Sequence, residues 1–214
     1  MALSYIAFNA ETGSSLVTMP THTTGDVLLA LAVQVGSTVP TLPAGWTSAA
    51  THTSSQAARW AIKTAASAGE TSGTWTNAEA LAIWVFRGQD ASDVFGGSAA
   101  TAAGGTGTNL TVPTVTLDRS DNTSWMVRAH TVASIAATIG AVTGGYTRRA
   151  LLNDGVSQFV FEDSGSTITS GTGGSSSALG GTYTRRGYAA EIKAAPDAFS
   201  TPAFGRYGVR GPIR

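Results

Sequence analysis

The residues best able to hold a metal or move a proton are three histidines, His22, His52 and His130, and a scatter of carboxylates. Zinc sites take His, Cys, Asp and Glu ligands at short recurrent spacings. Here the histidines stand far apart, and the chain has no cysteine. Asp90-Ala91-Ser92-Asp93 offers oxygen atoms to Ca²⁺ but lacks the further ligand positions of an EF-type loop. It reads as an Asx-bonded turn. Glu162-Asp163, Asp154 and Glu191 collect carboxylates in the second half, with no spacing that marks an acid/base couple. Gly104-Gly105-Thr106-Gly107 lacks the lysine of a phosphate-binding loop, and no Gly-x-Ser-x-Gly elbow follows a strand. The expectation is a chain with no catalytic residues, no metal and no cofactor.

Binding chemistry is better represented. Trp46, Trp60, Trp75, Trp84 and Trp125 could stack on apolar sugar faces. Trp60, Trp84 and Trp125 fall in alternating stretches and are expected in the core. Trp46 at a Pro/Gly corner and Trp75 in a Thr/Ser-rich segment stay as candidate ligand-binding residues. Residues 196–214 have no hydrophobic period and contain Pro196, Pro202 and Pro212. There Phe199, Phe204 and Tyr207 intersperse with Arg206, Arg210 and Arg214, the aromatic-plus-arginine mixture that interface hot spots use. These six are the candidate partner-binding residues of an extended C-terminal arm.

What must position such groups is a chain of 214 residues, 12% of them charged, where globular proteins usually carry roughly a quarter. Thirteen basic residues balance thirteen acidic ones, so nothing favours nucleic acid as a bulk partner. Lys63 and Lys193 are the lysines, and the remaining basic residues are arginines, which suit planar contacts in packed interfaces. Low charge is poor protection for a free monomer, so the composition points to an assembly and a homo-oligomer. No secretory leader is visible in Met1-Ala2-Leu3-Ser4-Tyr5, and no apolar run is long enough to span a membrane.

Within residues 25–35, Val27, Leu29, Leu31, Val33 and Val35 alternate with smaller or polar Ala30, Ala32 and Gln34. This period of two predicts a half-buried strand. Ala80-Leu81-Ala82-Ile83-Trp84-Val85-Phe86 is apolar on both faces and predicts a central strand. Shorter strands are expected at 2–9, 16–20, 57–63, 110–117, 124–132, 157–162 and 186–193. Gly-rich stretches at 89–108 and 165–181 read as connections.

The pattern also repeats. Residues 16–20 match 109–113, the strand after Gly25 matches 125–132, and Gly45-Trp46-Thr47 matches Gly145-Tyr146-Thr147. Trp60 matches Phe159, and the 80–86 strand matches 188–192. Pseudo-repeats at about 14–90 and 108–195 predict an all-β, jelly-roll-like sandwich over 1–195, the related halves forming its layers or lobes.

Gly25-Asp26-Val27-Leu28-Leu29, Pro43-Ala44-Gly45-Trp46-Thr47, the strand from Arg59 to Lys63, Ala68-Gly69-Glu70 and Trp84-Val85-Phe86-Arg87-Gly88 form an ordered set of motifs. This set resembles phage and prophage virion β-sandwich proteins, in which a GDLL strand, a PPGWT corner, a YYK strand, an AGE turn and a YRG strand recur. Trp60 and Ala61 depart from the tyrosine pair, and Phe86 from the tyrosine before Arg-Gly. The resemblance implies a non-enzymatic bacteriophage virion protein, made in the bacterial cytoplasm and located in the particle. A capsid decoration (cement) protein contacting the major capsid protein or other virion proteins is the expected role. A glycan- or receptor-binding module of a tail fibre, collar or tail tip is the alternative.

Overall fold

The computed structural model describes residues 2–90, 93–96, 101–171 and 174–195. Among them are ten strands and no helix: β1 (Ser4–Thr12), β2 (Val27–Gln34), β3 (Thr47–His52), β4 (Ala57–Thr64) and β5 (Ala80–Arg87), then β6 (Thr101–Val112), β7 (Trp125–Val132), β8 (Thr147–Asn153), β9 (Gln158–Asp163) and β10 (Gly174–Ile192). They form two antiparallel five-stranded sheets packed face to face, the all-β sandwich of two related halves that the repeat predicts. The first sheet runs β1-β5-β2-β4-β3 and the second β6-β10-β7-β9-β8, so each half completes one layer in the same strand order. The halves are layers rather than side-by-side lobes.

Register makes the equivalence residue by residue. Leu31 of β2 faces Trp60 and Ala82, and Ala129 of β7 faces Phe161 and Tyr188. Ala49 bulges from β3 and Arg149 from β8 at the same place after the corner. Trp60 therefore corresponds to Phe161, one pleat beyond the expected Phe159. Residues 16–20 are not a strand, and β1 rather than this segment is the counterpart of β6. β6 and β10 also begin inside the stretches expected as connections. Thr and paired Gly there disguise strands whose pairing is supplied by a neighbour.

The predicted half-buried strand at 25–35 is buried on both faces, from Val27 through Val33. Val27, Leu29, Leu31 and Val33 point between the sheets with Trp60, Trp84 and Phe86, meeting Trp125, Phe159, Phe161, Tyr188 and Ile192. Trp84 meets Phe161 edge to face at 5.8 Å, and Phe86 meets Trp125 the same way at 5.8 Å. Leu28, Ala30 and Ala32 point outward into a second layer closed by Val17, Trp46 and Trp75 from the connections. Each fully buried Leu or Val contributes about 1.5–3 kcal/mol, so both faces matter.

Two contacts close the sides of the sandwich. Arg149 grips Asp163 through Nε (2.5 Å) and Nη2 (2.9 Å), and lies 3.9 Å over the Tyr5 ring of the other sheet. On the opposite side the Tyr188 hydroxyl donates to Gln56 O at 2.5 Å, and Arg186 Nε donates to Ser55 O at 3.1 Å. Burial of both β2 faces has a direct consequence. Leu29→Ala and Leu28→Ala should each lose about 2–5 kcal/mol in chemical denaturation. A near-neutral Leu28→Ala would mean that the outer layer does not pack.

Candidate functional site

The six arm residues, Phe199, Phe204, Arg206, Tyr207, Arg210 and Arg214, lie outside the described residues. What is described is the base of the arm. Ala194 bridges to Gln89 and the Ala195 amide donates to Gly88 O at 2.8 Å. The strand thus ends at a cleft of about 240 Å³ lined by Ala2, Leu3, Arg119, Thr123, Ala194 and Ala195, among others. Lys193, just before it, is held by ion pairs to Asp93 (2.5 Å) and Asp118 (2.9 Å). Beside it Glu191 accepts from the Asp118 amide at 2.8 Å and from the Ser124 hydroxyl.

Trp46 and Trp75 correct the expectation of a ligand platform. Trp75 is fully buried and Trp46 only 6% exposed. Their rings meet edge to face at 5.4 Å, and both indole N–H groups donate to Ser72 O, at 3.0 and 2.9 Å. A Thr/Ser-rich segment looks like surface in sequence, but here it folds down as the lid of the outer layer. Neither indole offers a face to a sugar.

The other motifs of the first half also bond to one another. Asp26 takes Arg87 Nε at 2.7 Å and Nη2 at 2.9 Å, and the Thr23 amide at 2.8 Å. The Arg87 guanidinium, with help from Thr23, holds the Asp26 carboxyl below its ordinary range. Lys63 of β4 pairs with Glu70 of the Ala68-Gly69-Glu70 turn. Gly45, at φ +84°, turns the corner that delivers Trp46, a backbone conformation that suits glycine.

On the outer face of the second sheet the corresponding layer sets charged groups among two apolar clusters, one with Leu110, Val132 and Val160 and one with Val112, Met126 and Ala189. By register, Ala30, Ala32, Ala61 and Val85 of the first sheet correspond to Arg128, His130, Glu162 and Glu191 of the second. All four of the latter are buried. Arg128 Nε donates to Glu162 Oε2 at 2.7 Å, its Nη2 to Thr143 O at 3.2 Å, and its Cζ lies 3.4 Å over the Tyr146 ring. Arg148 Nε stands 3.6 Å from Glu162 Oε1, while its Nη2 donates to Gly140 O (2.7 Å) and Ser177 Oγ (2.9 Å). His130 Nε2 is 3.8 Å from Glu162 Oε2.

This cluster ties the connection between β7 and β8 onto the sheet through the carbonyls of Gly140 and Thr143. Burial pushes the His130 pKa down, opposed by Glu162 and reinforced by Arg128 and Arg148. Burial pushes Glu162 up, but its contacts with His130 and Arg128 outweigh this and leave it below the ordinary carboxylate range. Among the described residues no group of three His, Asp or Glu is arranged to hold a metal ion. The one sequence signal for the cluster is Arg128 and His130 standing two apart, on one face of an otherwise apolar strand. No family model, curated protein or solved structure matches this chain.

Both pKa shifts oppose folding in acid. A folded-state pKa below the unfolded one means that the unfolded chain binds more protons as pH falls. Stability should be full above the ordinary His value of 6.5, decline as pH drops below it, and decline further below the ordinary Glu value of 4.5. Urea melts across pH will read this, and His130→Gln should flatten the first decline. At neutral pH, Glu162→Gln should cost about 3–5 kcal/mol, because it leaves the Arg128 charge buried without its partner.

Proposed function

We propose that this chain is a non-enzymatic structural protein of a bacteriophage particle, a capsid decoration (cement) protein. Its sandwich body would sit on the shell, and residues 196–214 would reach the major capsid protein or other virion proteins. The observation that carries this reading is how the resembling motifs are used. Asp26 bonds Arg87, Lys63 bonds Glu70, and Trp46 shares Ser72 O with Trp75. The motifs that resemble those of virion β-sandwich proteins are thus contacts that define one layer, which supports a shared fold, while the virion context rests on the resemblance itself.

Low charge and arginine in place of lysine fit a protein that works inside an assembly. The described residues end beside the cleft at Ala195, with Lys193 anchored immediately before the arm. The glycan-binding alternative drew its candidate residues from Trp46 and Trp75, and both are turned inward.

Deletion of residues 197–214 should leave the melting temperature unchanged and abolish incorporation into purified particles, read by mass spectrometry of the particles. Normal incorporation of the truncated chain would overturn the role given to the arm. Absence of the full-length chain from purified particles would overturn the virion reading itself.

A further inference from the structure

We propose that the cleft at the end of β10 holds the root of the chain's own arm, with the Asp197 carboxylate on the Arg119 guanidinium and the Phe199 ring against the apolar wall. This goes beyond the particle reading and does not rest on it, because it concerns the free chain. Residues 196–199 would then belong to the body, and the length of arm left to meet a partner would begin at Ser200.

The cleft is held in shape by β10 and the residues that follow it. Glu191, fully buried, accepts from the amides of Asp118 (2.8 Å) and Arg119 (3.2 Å) and from the Ser124 hydroxyl, which fixes the backbone that carries Arg119. Lys193 ties Asp118 down at 2.9 Å. Ala2, Leu3 and Ala194 supply apolar wall, and Arg119 is the one charged residue of the lining. Among the described residues its guanidinium forms no ion pair. The acids around it are committed elsewhere. Asp93 and Asp118 share Lys193, Glu191 takes the two amides, and Asp121, which feels the Arg119 charge, takes the Thr123 hydroxyl.

The chain supplies the occupant. Ala194 and Ala195 line the cleft, so the residues after them start beside it. Ala195 precedes Pro196, and a residue before proline favours an extended conformation. From there Asp197 lies at most about 7 Å along the chain, a span the long Arg119 side chain can close. Residues two apart on an extended chain project to the same side, so Asp197 and Phe199 turn to the cleft together. Asp197 is also the one acidic residue of 196–214, whereas Arg206, Arg210 and Arg214 would meet like charge at Arg119.

Chymotrypsin reads this directly, because it cuts after Phe199, Phe204 and Tyr207, and the last two serve as controls within the same arm. Cleavage after Phe199 should be about two- to fivefold slower in the full chain than in a free peptide of residues 195–214, the range an exposed ion pair supplies. Cleavage after Phe204 and Tyr207 should match the peptide. Arg119→Glu should remove the slowing at Phe199 alone, as should Asp197→Asn, which leaves the sequence of the body intact. The charge swap Arg119→Glu/Asp197→Arg, measured against its own peptide, should restore it, and added salt should weaken it. An exposed pair adds little to global stability, so all these chains should melt alike. Equal cleavage of Phe199 in chain and peptide, slowing that survives Asp197→Asn, or a swap that melts normally without restoring it would each overturn the proposal. So would slowing that disappears on dilution, which would come from a second copy.

Discussion

Everything in this protein depends on the meeting of two inner faces that cannot be left in water. Trp84 sits at the centre of that meeting, in contact with Phe8 (5.0 Å), Trp60 (6.2 Å) and Phe161 (5.8 Å), so that both layers share one ring. A single five-stranded sheet carrying Leu29, Leu31, Trp60, Trp84 and Phe86 on one face has no stable existence alone. Duplication supplies the partner. The second half brings Trp125, Phe159, Phe161, Tyr188 and Ile192 to the same plane. Arg149 over Tyr5 and Tyr188 on Gln56 then hold the two layers together at opposite sides.

With the inner faces committed to each other, each sheet still has an outer face to cover, and the halves do this differently. The first uses small alanines on β2 and β4 and fills the space above them with Trp46 and Trp75, whose polar nitrogens share one carbonyl. The second replaces those alanines with Arg128, His130 and Glu162 and lowers a connection onto the charges. A buried ionic cluster is not in itself more stabilising than a well-packed apolar one. The apolar lid of Val17, Trp46 and Trp75 holds no titratable group, whereas protonation of the ionic cluster is expected to weigh on the stability of the whole sandwich. The two halves keep a common strand order with separate chemistry above it.

The strands were largely legible in the sequence, because alternation and β-branched content act locally. Residues 27–33 and 80–86 declared themselves as strands, and the Gly-aromatic-Thr corners at 45–47 and 145–147 aligned the halves. β3 and β8 did not declare themselves. They are edge strands with short, partly exposed side chains, and their pairing rather than their composition makes them strands. The segment at 16–20 has strand-like residues, yet it crosses β1 through side-chain bonds instead of joining a ladder. Trp46 and Trp75 looked accessible because their neighbours are polar, and only the fold turns them inward.

The sequence by itself determined the all-β class and the likeness of the two halves, since both follow from residue type and short-range period. The tertiary structure alone decided that the halves are stacked layers, that β2 is covered on both faces, and which charges meet. Those outcomes depend on contacts between residues far apart in the chain. Arg87 finds Asp26 and Arg128 finds Glu162 only after the sheets have formed.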